Sequence, residues 1–159
     1  DDQGNKLVYE NLSDENIVNA ICRWSAIPGA SRHHWGTEFD IICRKSLPSK
    51  DYQVQLIPEE VQDSGIFGHF HQKIDQLIEK DLAFSFFRPY AEDLGGVAPE
   101  RWHLSYAPLS EEYISKYTIK IFEQNLEESD LMLKKIILKD LDKYFDTFLK
   151  NISSPTKNS

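Results

Sequence analysis

The sequence predicts a single α+β domain, a small and mostly antiparallel sheet with flanking helices. Three observations point there. The length of 159 residues suits one modest core. Short runs rich in β-branched and aromatic residues at 36–44, 83–87 and 102–106, with one edge run at 52–57, supply only a few strands. The remaining apolar residues recur mostly at helical spacing. Hydrophobic residues make up 40% and charged residues 28% of the chain, an ordinary balance for a folded domain.

In order, residues 1–12 read as an extended entry. Ser13 followed by Asp14 and Glu15 is a helix start, and Ile17, Ala20, Ile21 and Trp24 form one apolar face before Pro28-Gly29 ends the helix. Residues 36–44 read as a strand through Phe39, Ile41 and Ile42. Residues 45–57 form a loop with one edge strand at 52–57. Phe70, Ile74, Leu77 and Ile78 mark a helix over 67–82, and residues 83–87 a second strand. Asp93-Leu-Gly-Gly96 turns the chain into a final strand over 102–106. Pro108 and Ser110 open a helix through 126. Ser129 caps a last one, whose stripe (Leu133, Ile136, Ile137, Leu141, Tyr144, Phe145, Phe148) reads as packing. Residues 152–159 are polar and read as a disordered tail.

A net charge of −8 and a pI near 5.1 argue against nucleic acid as a partner. No apolar run approaches the roughly 20 residues that span a bilayer. Cys22 and Cys43 are too few for a disulfide framework. They read as buried thiols, with a single bridge as the alternative in an exported protein.

The five histidines fall into three groups: His33-His34, His69 with His71, and His103. No His-Glu-x-x-His occurs, which excludes the helical metallopeptidase arrangement. Catalytic zinc commonly takes two histidines and a carboxylate and keeps a position open for water. His33, Asp40 and His103 can supply that set if a turn at Gly36 folds the His33 loop over the strand start. Glu100, three residues before His103, is placed to act as a general base. Spacing alone also allows a blander reading, with His33 in a loop, His103 hydrogen-bonded in the core and the acids solvated.

The wording of two segments is more specific. Ser31-Arg-His33-His-Trp-Gly36-Thr-Glu38-Phe-Asp40 resembles the Ser-x-His-x-x-Gly-x-Ala-x-Asp signature of the zinc D-alanyl-D-alanine carboxypeptidases (VanY-like). Glu100-Arg-Trp102-His103 resembles their Glu-x-Trp-His signature. That family shares an α+β fold with lysostaphin-type peptidases and the hedgehog signalling domain. The resemblance covers roughly residues 25–108. It implies a metallopeptidase core over 1–108 and a helical extension over 109–151.

The resemblance further implies Zn2+ held by His33, Asp40 and His103, with Glu100 as catalytic base. The implied reaction is hydrolysis of D-Ala-D-Ala or related bonds in peptidoglycan stem peptides, in a bacterial cell envelope or periplasm. The alternative is a metal-bearing, non-catalytic binding domain of the same fold. Ser31 would order the loop and Trp102 would pack beside the metal, while His34, His69 and His71 match no ligand position. Two departures stand out. Glu38 replaces a small Ala, either as an acid supporting the metal ligands or turned outward. The family's upstream segment with its substrate-binding Arg has no match before Ser31, and Arg23 is a poor substitute. The expectation is therefore a chain that begins partway through the catalytic domain, with Arg88 or Arg101 as candidates to hold the substrate carboxylate.

Overall fold

A computed structural model describes residues 5–155. Three strands form one open sheet: β1 (Glu38–Asp40), β2 (Phe86–Phe87) and β3 (His103–Tyr106), in the order β1-β3-β2 and antiparallel throughout. The helices are α1 (Asp14–Trp24), α2 (Pro58–Val61), α3 (Gly68–Glu79), α4 (Ala107–Lys116), α5 (Ile119–Glu128), α6 (Lys134–Lys139) and α7 (Leu141–Phe145). The α+β architecture agrees with the sequence reading.

The strands are shorter than their apolar runs because local backbone interrupts them. Phe84 and Ser85 take left-handed conformations (φ 52° and 66°), so residues 83–85 cannot join the ladder and β2 keeps two residues. Residues 52–57 form no strand. The Glu60 carboxylate accepts the Leu56 N–H at 2.8 Å, the Gln55 N–H at 3.1 Å and the Tyr52 hydroxyl at 2.8 Å, satisfying groups that an edge strand would have needed. The helix expected over 110–126 is two helices, with the Thr118 side chain accepting the Ile121 N–H at the start of α5. The last helix breaks at Asp140 (φ −131°, ψ 52°) and ends in a π-helical turn, Asp146–Lys150.

α1 begins as expected, with the Ser13 hydroxyl accepting the Asn16 N–H at 3.3 Å. Its buried face is different. Val18 and Cys22 are buried, while Ile21 and Trp24 are exposed. The helix carries two overlapping apolar stripes, and the C-terminal helices select the second. Val18 and Cys22 join Ile27, Phe122, Leu126, Ile137, Tyr144, Phe145 and Leu149 in one core. The Leu133–Phe148 stripe packs on that core. Gly96 permits a close approach here, since a Cβ would lie 2.1 Å from the Thr147 carbonyl oxygen. In a second cluster, Val61, Phe67 and Trp102 are packed by Ile42, Leu47, Val54, Leu56 and Ile66 from the segment 42–66. α3 also departs from its pattern. Leu77 is exposed and Ile74 and Ile78 are half-buried, whereas His71 is fully buried. Both cysteines are free, Cys22 buried and Cys43 half-buried. Of the polar tail, residues 152–155 are described, and the Ser153 N–H donates to the Pro89 carbonyl at 2.8 Å.

Candidate metal centre

The site is built on the β1–β3 pair. Antiparallel register places Glu38 opposite Ser105 and Asp40 opposite His103, and period-2 alternation puts all four side chains on one face of the sheet. His33 arrives from a 3-10 turn, Arg32–Trp35, ended by Gly36 at φ 69°, whose N–H donates to the His33 carbonyl. That left-handed residue reverses the chain between the first histidine and Asp40, the turn expected from the sequence.

His33, Asp40 and His103 each present a donor atom, all within 4.8 Å of one another. His33 Nε2 lies 3.5 Å and His103 Nδ1 3.8 Å from Asp40 Oδ1, and the two imidazole centroids are 4.5 Å apart. Donors on a zinc tetrahedron with bonds of about 2.0–2.2 Å stand roughly 3.4 Å apart. The two shorter separations are near that figure, and the two-histidine, one-carboxylate set suits zinc chemically. The His33 and Asp40 side chains are 40% and 32% exposed and His103 is 3% exposed, so one buried donor faces two on the open side.

Glu100 Oε2 is 2.9 Å from His103 Nδ1. That nitrogen can hold either a proton shared with Glu100 or a metal. Burial alone would lower the His103 pKa, but the hydrogen bonds to Glu100 and Glu38 and the charges of both acids outweigh it and push the value up to about 8. Tyr90, buried, packs edge-on against His103 at 5.1 Å.

These side chains open onto a cavity of about 320 Å³, also lined by Ser31, Tyr90, Trp102, Phe148 and Leu149. Trp102 is buried against Val61 and Phe67, and Ser31 lines the cavity without capping the turn that follows it. Phe148 and Leu149 bring the C-terminal helical segment into the wall. Tyr90, Phe148 and Leu149 carried no motif signal, and only the folded chain reveals them.

The two cations proposed for a substrate carboxylate lie elsewhere. Arg88 donates from Nε to Asp75 at 2.8 Å, and Arg101 donates from Nε to the other Asp75 oxygen at 3.0 Å. Both line a separate cavity of about 510 Å³. Arg32 is the arginine that lines the cavity beside His33, Asp40 and His103 among the described residues. Arg23 donates to Asp93 and to the Gly96 carbonyl.

Beside Arg88 sits His71, whose Nδ1 is 3.4 Å from Arg88 Nη2. Burial, reinforced by the Arg88 and Arg101 charges, pushes its pKa down to about 4. The unfolded chain takes up this proton near pH 6.5 and the folded chain refuses it until about pH 4. Stability should therefore fall as pH drops through that window, by about 3 kcal/mol from this group. Urea unfolding of His71→Gln between pH 7 and 4 should show a correspondingly shallower loss. An unchanged slope would remove His71 from the account.

The family model for VanY, a D-alanyl-D-alanine carboxypeptidase, matches residues 2–109. The chain belongs to the VanY family. The match extends well upstream of residue 25 and takes in α1, the 3-10 turn and all three strands. All four VanY-type positions singled out in the sequence (His33, Asp40, Glu100 and His103) therefore fall inside it. A Haemophilus influenzae protein described as uncharacterized is 30% identical over 124 residues, which is 77% of this VanY-family chain and 92% of the relative. No solved structure matches.

Proposed function

We propose that this VanY-family chain is a zinc peptidase that hydrolyses D-Ala-D-Ala or related D-amino-acid bonds in peptidoglycan stem peptides. One observation carries the reading. Three donors of the right types converge within 4.8 Å at a cavity, with the Glu100 carboxylate 2.9 Å from one of them. Zinc, when bound, supplies Lewis-acid polarisation of the scissile carbonyl and acidifies the attacking water.

The chain's own residues do the rest. His33 and Asp40 stand at the open side, where a substrate carbonyl can approach, and His103 anchors the set from the buried strand. Glu100 takes the proton of the attacking water and delivers it to the leaving amine, so one carboxylate serves both halves of the reaction. Trp102, Phe148 and Leu149 give the cavity apolar wall, which suits the methyl side chain of alanine and limits water around the reacting atoms. The substrate class belongs to the bacterial cell envelope. No helix among the described residues is long and apolar enough to cross a membrane.

The test uses the intact chain reconstituted with zinc and an acyl-D-Ala-D-Ala peptide, with the L,L peptide as control. Release of D-alanine from the first substrate alone is expected. Stoichiometric zinc uptake without hydrolysis of either would assign the chain to the binding-domain reading instead.

A further inference from the structure

Glu38 stands where the family signature has a small alanine, and its side chain is 0% exposed. A carboxylate that deeply buried is costly unless its oxygens are fully bonded. Here they are. Oε1 accepts from Arg32 Nη2 at 3.0 Å, from Ser105 Oγ at 2.8 Å and from Thr37 Oγ1 at 3.1 Å. Ser105 Oγ is itself 2.8 Å from Ser110 Oγ and accepts from Arg32 Nη2 at 3.0 Å. These contacts lock one carboxylate oxygen and leave the other aimed in a single direction. Oε2 lies 2.9 Å from His103 Nε2.

An ion pair serving only stability would be complete with Arg32, Ser105 and Thr37. The remaining oxygen instead engages the one His103 nitrogen that does not face Asp40. An imidazole can present a lone pair at Nδ1 only when its proton sits on Nε2. Glu100 competes for that proton at Nδ1 across the same 2.9 Å, and the fixed acceptor at Nε2 is what offsets it. Histidines that bind metals are commonly oriented by a carboxylate on their second nitrogen.

We propose that Glu38 is a positioning residue: accepting the Nε2 proton of His103, it fixes the tautomer and rotation of the ring so that Nδ1 faces His33 and Asp40. Arg32, Ser105 and Ser110 hold Glu38 in place. In this chain a buried polar cluster does what the family's alanine cannot. The inference rests on the metal-site reading above and adds to it which atom of His103 is the donor and what holds it there.

Two variants test it. Glu38→Ala removes the acceptor. The double variant Arg32→Met with Glu38→Met removes the acceptor and the cation together, so no unpaired charge is left in the core. In both, zinc affinity measured by chelator competition should fall about 10–100-fold, the usual effect of losing such a partner. Nitrogen NMR of His103 in the metal-free chain at high pH should show the Nε2-protonated tautomer well populated in the parent, against the competing Glu100 at Nδ1, and the proton moved to Nδ1 in the variants. If the parent binds zinc stoichiometrically and both variants match its affinity and its His103 tautomer, Glu38 is structural only and the inference fails while the metal reading stands. A parent that takes up no zinc would overturn both.

Discussion

Replacing Glu100 by alanine should lower kcat/KM for acyl-D-Ala-D-Ala hydrolysis by about two to four orders of magnitude, roughly 3–5 kcal/mol of transition-state stabilisation, with zinc content unchanged. The separation of effects follows from where the carboxylate stands. Glu100 is held by its backbone, its N–H donating to the Tyr90 carbonyl at 3.0 Å and its own carbonyl accepting the His103 N–H at 3.1 Å. Its side chain, 19% exposed, reaches the cavity beside the three donors without belonging to their set. A carboxylate in that position can exchange protons with water and is not required to hold a metal. Glu100→Gln keeps the shape and an acceptor oxygen but cannot take a proton, and it should be nearly as inactive as the alanine variant. Loss of zinc together with activity in either variant would make Glu100 a ligand and undo its role as base.

Removal of a metal ligand should have the other large effect. A binding free energy on the order of 10 kcal/mol shared by three protein ligands implies about 3 kcal/mol for one, a loss of at least about a hundredfold in zinc affinity. His33→Ala and His103→Ala should both show it, but they should differ in the metal-free chain. His33 is partly exposed on a turn, and its loss removes little packing. His103 is buried between two carboxylates, so His103→Ala leaves Glu38 Oε2 without its partner in the core. That variant should be less stable to urea by about 1–3 kcal/mol, the cost of an unsatisfied buried acceptor. Chelator competition and metal-free urea titrations measure the two quantities separately. Parent-like zinc affinity in either variant would refute the ligand set.

The candidate donors were legible before any fold was known because two segments resemble the VanY signatures, whereas residue types and spacing alone also allowed the blander reading. The order of His33, Gly36, Asp40, Glu100 and His103 was readable, and so was the need for a tight turn at Gly36, which the structure makes left-handed. Helix starts were legible where a local side chain makes them, as at Ser13. Other features depended on competition between distant segments. The apolar face of α1 was misread as Ile17, Ala20, Ile21 and Trp24 because the sequence offers two stripes one residue apart, and only packing against Ile137 and Tyr144 chooses between them. The segment 52–57 has the composition of a strand, yet Glu60 captures its backbone donors. Arg88 reads from sequence as a free cation, and Asp75 claims it in another cavity.

Residue spacing was enough to show a small sheet among helices. The candidate donors and the candidate base were legible only through the two segments that resemble the VanY signatures, since spacing alone left the blander reading open. Tertiary structure alone decided that Asp40 pairs across the sheet with His103, that Glu38 turns inward to His103 Nε2 across 65 positions of sequence, and that Phe148 and Leu149 close the cavity. The reason is physical. A metal requires its donors within a few ångströms and a fixed imidazole tautomer, and strand register and a buried hydrogen-bond cluster are what supply them to residues so far apart in the chain.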